Sequence, residues 1–430
     1  MTVINESSVH DSELVLFSIL IQLIVMIGTG RALNTVFRAL KQPGVIGEIV
    51  AGLLLGPSLF GYVFPDTSLA LFGAKPSVSI TIISQIGLIL LMFQIGSEFE
   101  FTNLKSRRSR VGILGISAVS VAMPFLLGFL IGVVSASTLA PGADILLYSL
   151  FCGTALAITA VPTLGRILRE FDLTQNEIGV VAISAAAIND VFGWLILASI
   201  SSLAAAQFSG SGVALQIGGL LGLAGGILLI LRPIGNWLLV RFPVADGDIP
   251  SNLMAVIICL IFVLGIFTYK LGIFTIFGGF AAGWLFHAHR DFVDAWHKQV
   301  GRFVLVFFLP VFFTYTGLRI NIFGLSSLSD FFWLGIILVA AIGGKIVPVY
   351  LVAQRSGFNR HESLTLGVLM NTRALMELIV LNVGYDLGVI PQKVFTMMVV
   401  MAVVTTLMTA PLLRVLLARV GHEIPIGREA

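Results

Sequence analysis

Apolar residues dominate this chain in long runs separated by short polar connections, and the runs recur from one end to the other. A helix needs about 20 residues to cross roughly 30 Å of hydrocarbon. On that scale the pattern predicts thirteen membrane-spanning helices, at 14–33, 43–63, 80–98, 111–135, 145–165, 178–203, 213–235, 251–269, 271–287, 303–318, 331–353, 364–385 and 393–416. Two of them, at 251–269 and 271–287, meet at Tyr269-Lys270-Leu271-Gly272 with almost no loop. The fold class read from this pattern is an all-α polytopic membrane protein. Met1 to Glu13 lacks the basic start of a cleavable leader. Nothing hydrophilic and domain-sized follows the last span, so residues 1–430 read as one transmembrane domain without a soluble regulatory domain.

Composition narrows the function classes. Of 430 residues, 57% are hydrophobic and 11% charged, against about 45–50% and about 25% in soluble domains. Nucleic-acid binding and ordinary soluble enzymology are excluded. Cys152 and Cys259 both sit inside apolar runs, which supports neither a disulfide framework nor a thiolate metal site. The placement of charge then gives an orientation. With the acidic N-terminus (Glu6, Asp11, Glu13) outside, nineteen of the 25 basic residues lie at the ends of odd-numbered spans or in the segments that follow them, whereas only Lys75, Lys270, Arg319 and Lys393 lie on the opposite side. Basic connections stay in the cytoplasm, so the N-terminus is expected outside, the C-terminus inside, and the number of spans odd. The 45 glycines read as close-packing points between membrane helices. Gly218, Gly222 and Gly226 form such a stripe in the seventh span, suited equally to a seam within one copy or between two.

A charge at membrane depth costs about 2.5–3.5 kcal/mol on the insertion scale, so each one marks a candidate function. Five require an account: Glu48, Asp190, Lys345, Arg373 and Glu377. Asp190 follows Asn189 in the middle of the sixth span, where Ala182, Ala186, Asn189, Asp190 and Gly193 fall on one smooth helix face. A desolvated carboxylate that water can reach can trade a proton for a cation. Lys345, in Gly343-Gly344-Lys345 of the eleventh span, reads as a counter-ion to Asp190 or a proton-exchanging partner, with snorkelling past Pro348 the plainer alternative. Arg373 and Glu377 are four apart and can pair on a helix. If the helix unwinds there, they compensate half-helix ends instead. Glu48, in Gly47-Glu48-Ile49-Val50-Ala51-Gly52, fits either a structural or a functional role.

Two spans are interrupted near mid-membrane. The fifth carries Thr159-Ala160-Val161-Pro162-Thr163, where the proline removes a backbone bond and the threonines can satisfy freed groups. The twelfth carries Met370-Asn371-Thr372-Arg373-Ala374-Leu375-Met376-Glu377, too polar for a helix facing lipid. Breaks in corresponding places of two halves point to a transport site at a repeat interface. Spans 4–6 and 11–13 therefore read as related three-helix units, and an odd number of reversals between them makes the repeat inverted.

These residues also carry a family resemblance. Gly47 to Gly52 with Leu55-Gly56-Pro57-Ser58, Thr159 to Leu164, Ser184 to Asp190, Phe308-Leu309-Pro310-Val311-Phe312-Phe313 with Thr316-Gly317-Leu318, Gly344-Lys345, and Met370 to Leu378 resemble the monovalent cation:proton antiporters. The branch resembled is that of potassium-efflux antiporters and plant cation/proton exchangers. The resemblance implies a thirteen-span inverted-repeat fold with two crossed broken helices, alternating access and a homodimer. It places the chain in a plasma membrane, the inner membrane of a bacterium. A monovalent cation and a proton would be its substrates, with no cofactor and no metal. On that pattern Asp190, Asn189 and Thr159 are the cation- and proton-binding residues. Lys345, Arg373, Glu377 and Glu48 are buried charge partners, and Pro162, Thr163, Asn371 and Thr372 mark the broken helices. Asn189 stands where electrogenic relatives carry a second aspartate, and the cytoplasmic regulatory domain usual in this branch is not expected from residues 1–430. Three rivals stand beside this reading: a channel-like potassium efflux pathway, an organic-anion symporter on a related fold, and an intramembrane enzyme. The last has only His287, His289 and His297 to offer, in a loop beside Arg290 and Lys298. Sodium against potassium stays open.

Overall fold

The structure is a computed structural model that describes residues 6–73, 76–97, 107–174, 176–205, 218, 219, 222, 225–244, 247–271 and 274–420. In chain order the helices are α1 (Glu6–Ala39), α2 (Gly44–Leu55), α3 (Phe60–Val63), α4 (Pro65–Phe72), α5 (Val78–Ser97), α6 (Arg107–Leu139), α7 (Ile145–Ala157), α8 (Val161–Glu170) and α9 (Glu177–Ala205). They continue with α10 (Arg232–Arg241), α11 (Ser251–Lys270), α12 (Thr275–Phe286), α13 (Arg290–Trp296), α14 (Leu309–Gly317), α15 (Leu328–Arg355), α16 (Arg360–Met370), α17 (Leu375–Asp386) and α18 (Gln392–Val420). Among the described residues eleven helical segments are long and apolar enough to cross a membrane, and they coincide with eleven of the predicted spans. The span expected at 271–287 is the shorter α12, of 12 residues. The one expected at 213–235, with most of its glycine stripe, lies largely outside the described residues. The chain is an integral membrane protein.

The chain divides into two compact units. The first comprises Met1–Leu91 and Lys298–Phe323. Met26, Leu55, Phe72, Ile80, Val311 and Tyr315 form its apolar core. The predicted span at 43–63 is interrupted here. Gly56 is extended (φ −76°, ψ −178°), as the residue before a proline must be, and α2 stops at Leu55. The backbones of α2 and α14 nearly touch. A methyl group on Gly52 would strike the Phe313 carbonyl, and one on Gly317 would strike Gly52 itself.

The second unit comprises Met92–His297 and Gly324–Ala430. Within it one pattern occurs twice: a long helix containing a proline, a broken helix, then another long helix. The first set is α6 with Pro124, the α7/α8 pair and α9; the second is α15 with Pro348, the α16/α17 pair and α18. One apolar cluster joins both sets, including Ile116, Leu164, Val181 and Ala185 from the first and Val349, Leu366, Leu369 and Leu413 from the second. The inverted sense of the repeat is counted through the span at 213–235 and so passes outside the described residues.

Local chemistry fixes where the broken helices start and stop. Asp144 caps α7 by accepting from the Leu147 amide at 2.9 Å. The helix ends when Ile158 turns extended, and Ala160 is extended as well. Pro162 then sits in the first turn of α8, not in a helix interior. This corrects the reading that it removes a backbone bond, since an amide at that position has no helical acceptor anyway. Asn359 opens α16 through a reciprocal capping box with Glu362. The second break, 371–374, ends on Ala374, a buried alanine at φ +93°, a conformation that costs a non-glycine residue roughly 1–3 kcal/mol.

Candidate functional site

The two breaks cross. The Ala160 amide donates to the Thr372 carbonyl at 3.3 Å, and the Thr159 hydroxyl reaches the Met370 carbonyl at 3.3 Å. An unwound segment in the bilayer must satisfy its own backbone, and here each break supplies groups to the other. Thr159, Thr163, Asn371 and Thr372 are all buried. Thr163 lies in the first turn of α8. The Asn371 amide meets the Met408 sulfur at 3.8 Å, whereas its oxygen and the Thr372 hydroxyl have no partner among the described residues.

Beside the crossing, α9 presents Asn189 and Asp190. Gly193, one turn on, brings α9 so close to the first break that a side-chain carbon there would sit 3.0 Å from Ile158. The Asn189 amide and the Ser120 hydroxyl of α6 are 2.7 Å apart. With the amide oxygen facing that hydroxyl, the Asn189 nitrogen donates to the carbonyls of Ser117 at 3.1 Å and Ala185 at 3.2 Å. Asn189 is thereby tied to α6 and to its own helix. Asp190 is the opposite case: it is 2% exposed, and among the described residues neither carboxylate oxygen has a hydrogen-bond partner. The Val161 amide at the start of α8 and the Lys345 ammonium act on it electrostatically without closing a bond.

Two cations from the second repeat hold the end of α7. Lys345 is fully buried and donates to the Ile158 carbonyl at 2.8 Å and to the Thr159 hydroxyl. Its direct contacts are therefore on the first break, and its influence on Asp190 is through space. The Arg373 guanidinium donates to the carbonyls of Ala155 at 3.0 Å and Leu156 at 2.8 Å, and meets Glu377 at 3.3 Å. The guanidinium thus serves the last carbonyls of α7, which carry partial negative charge and need donors. The site thus assembles Asp190, Asn189, Thr159, Lys345, Arg373, Glu377, Asn371 and Thr372. Glu48 belongs to the first unit, where it accepts from Asn34 at 2.6 Å and lies 3.5 Å from Arg31. His287, His289 and His297 bond separately to the Trp284 carbonyl, Asn236 and Gln94. Ser117 and Ser120 were missed by sequence reasoning. Their signal is a pair of hydroxyls three apart, on one face of an apolar span.

The model of the family described as sodium/hydrogen exchanger, transmembrane, matches residues 19–418. The chain belongs to that family. Among curated exchangers it is 34% identical over 404 residues to the Na(+)/H(+) antiporter NhaS4 of Synechocystis, covering 92% of this chain and 96% of the relative. It is 34% identical to Cation/H(+) antiporter 18 of Arabidopsis thaliana and 30% identical to K(+)/H(+) antiporter 1 of Saccharomyces cerevisiae. This exchanger chain spans only 48% and 44% of those two longer relatives. In fold it resembles the sodium proton antiporter MjNhaP1 of Methanocaldococcus jannaschii, with a TM-score of 0.63 at 17% identity over 93% of this chain and 99% of that one. The branch named from the motifs is the one these relatives populate.

Proposed function

We propose that this exchanger is a secondary transporter that moves a monovalent cation, Na+ or K+, against H+ by alternating access, with Asp190 binding either substrate. The observation that carries the reading is the unpartnered Asp190 carboxylate, buried beside the crossing of the two breaks. A buried ionised carboxylate without a partner is strongly unfavourable. A proton removes that penalty by neutralising it, and a dehydrated cation removes it by pairing with it. Either occupant gives a neutral carboxylate, and only such states cross a low-dielectric barrier readily. The two are mutually exclusive on one group, which makes the exchange obligatory.

Thr159 Oγ1 and the Ile158 carbonyl are the hard oxygen ligands a cation would use with Asp190, and in this state the Lys345 ammonium occupies both. Asn189 acts here by positioning, because its amide is committed to Ser117, Ser120 and Ala185. One titrating carboxylate and a neutral Asn189 support a one-for-one exchange that moves no net charge. The unit works as one transmembrane domain, as a homodimer in a plasma membrane, with its N-terminus outside.

Proteoliposomes with a known pH gradient, a clamped membrane potential and each alkali cation in turn test the proposal. Cation-driven proton movement should respond to the pH gradient, be indifferent to the potential, and vanish in Asp190→Asn. Flux that ignores the pH gradient would identify a channel instead, and sodium-dependent uptake of an organic anion would identify a symporter.

A further inference from the structure

The second buried carboxylate of the site, Glu377, is left incompletely compensated by a geometry the exchange cycle does not use. It lies in the first turn of α17 and is fully buried. Its Oε2 meets Arg373 Nη1 at 3.3 Å, long for a bond between full charges, which usually closes at about 2.7–2.9 Å. The same Nη1 also serves the Ala155 carbonyl at 3.0 Å, and Nη2 serves Leu156 at 2.8 Å. Arg373 therefore gives its shorter bonds to α7 and a shared, longer one to Glu377. Among the described residues Glu377 Oε1 has no partner, and neither does Arg373 Nε. Among the described residues, Arg373 and Lys345 are the charged groups that face Glu377. The Lys345 ammonium is committed to Ile158 and Thr159, and α7 contributes only carbonyls at this point.

We propose that Glu377 is a second proton-binding group, distinct from Asp190, whose protonation sets how firmly Arg373 holds the end of α7. The proton comes from water and binds at Oε1, the oxygen the guanidinium leaves free. With Glu377 neutral, Arg373 is attracted only to the Ala155 and Leu156 carbonyls, and the first break keeps the form seen here. With Glu377 ionised, the carboxylate competes for the same guanidinium and loosens it from α7. Thr159 and Ile158, the neighbours of that helix end, then shift with it. Glu377 is thus a positioning residue acting through Arg373, and its proton is bound and released without being the one exchanged. The functional meaning of this device rests on the exchange reading; the protonation itself does not.

Infrared difference spectroscopy of the full chain in lipid, stepped across pH, reads both carboxyl groups directly. The wild type should show two bands from buried protonated carboxyls, one lost in Asp190→Asn and the other in Glu377→Gln. Glu377→Asp keeps a carboxyl and should move that second band, which covers the case of a Gln variant that folds poorly. In proteoliposomes the apparent cation KM of Glu377→Gln should change less steeply with pH than that of the wild type, by one proton. A Glu377→Gln spectrum that keeps every wild-type band, or a Glu377→Asp spectrum with no moved band, overturns the proposal. Loss of a band in Glu377→Gln together with none in Asp190→Asn leaves it standing and overturns the role given to Asp190.

Discussion

Glu48 and Asp190 are each 2% exposed, one in each unit, and the chain treats them in opposite ways. Glu48 accepts from Asn34 at 2.6 Å and has Arg31 beside it, so its charge is met by side chains already present. Asp190 has neighbours that polarise it and, among the described residues, none that bonds to it. A carboxylate whose partners are built in is part of the framework, and removing it leaves those partners stranded. A carboxylate whose partner is missing weakens the fold, and it is kept only where something outside the fold completes it. Burial alone does not separate the two; the partner list does.

That contrast can be broken most sharply at Asp190. Asp190→Asn should reduce cation-driven proton movement in proteoliposomes to background while leaving the thermal unfolding midpoint in detergent unchanged or raised. A variant with full exchange, or with a markedly lower midpoint, would place Asp190 beside Glu48 as framework. Glu48→Gln is the reciprocal test. It should keep pH-driven exchange but lose about 1–3 kcal/mol of stability, seen as a lower melting midpoint. An intermediate effect belongs to Thr159→Val, which removes a hydroxyl ligand but no charge. Its cation KM should rise by roughly tenfold, the worth of one hydrogen-bond-sized contact.

The smallest effect lies outside the bilayer, where water shares the work of compensation. His289 has its pKa lowered, first by partial burial and then by the nearby charges of His287 and Arg232, and its Nε2 contacts Asn236 at 2.8 Å. A base with a depressed pKa holds the folded state best while neutral. Its contribution is therefore present above the ordinary histidine range and is lost as pH falls through that range. The wild type should melt slightly earlier on mild acidification, and His289→Gln should flatten that slope, measured as midpoint against pH.

Much of this was readable in the sequence for definite reasons. Spans are legible because hydrocarbon thickness sets a length that composition must fill, and the break at Asn371-Thr372-Arg373 is legible because no lipid-facing helix tolerates it. Of the partners of the buried charges, the Arg373–Glu377 pair is legible from its spacing of four, and the others are not. Lys345 reads from the sequence as a counter-ion or proton-exchanging partner of Asp190 or as a snorkelling lysine, and none of these readings points to its direct bonds, which go to Ile158 and Thr159, residues 187 and 186 positions earlier in the chain. Such pairings depend on how two broken helices cross, and hydropathy carries no record of a crossing. Pro162 misled for a related reason. A proline signals an interruption, but whether it lies inside a helix or at the head of a new one depends on the extended residues before it. Ser117 and Ser120 were passed over because an isolated hydroxyl in an apolar span is usually satisfied by its own helix, as Ser117 also is through the Ile113 carbonyl at 2.7 Å.

The carbonyls at the end of α7 have a bearing on how the protein is made. Ala155, Leu156 and Ile158 receive their donors from Arg373 and Lys345, which follow them by 218, 217 and 187 residues. A ribosome reaches the broken helix at 145–170 long before it reaches those side chains. During that interval the half-helix ends must stay hydrated or be held by the insertion machinery, since hydrocarbon offers them no donor. The first repeat can therefore enter the membrane on its own schedule, but it matures only when the second arrives.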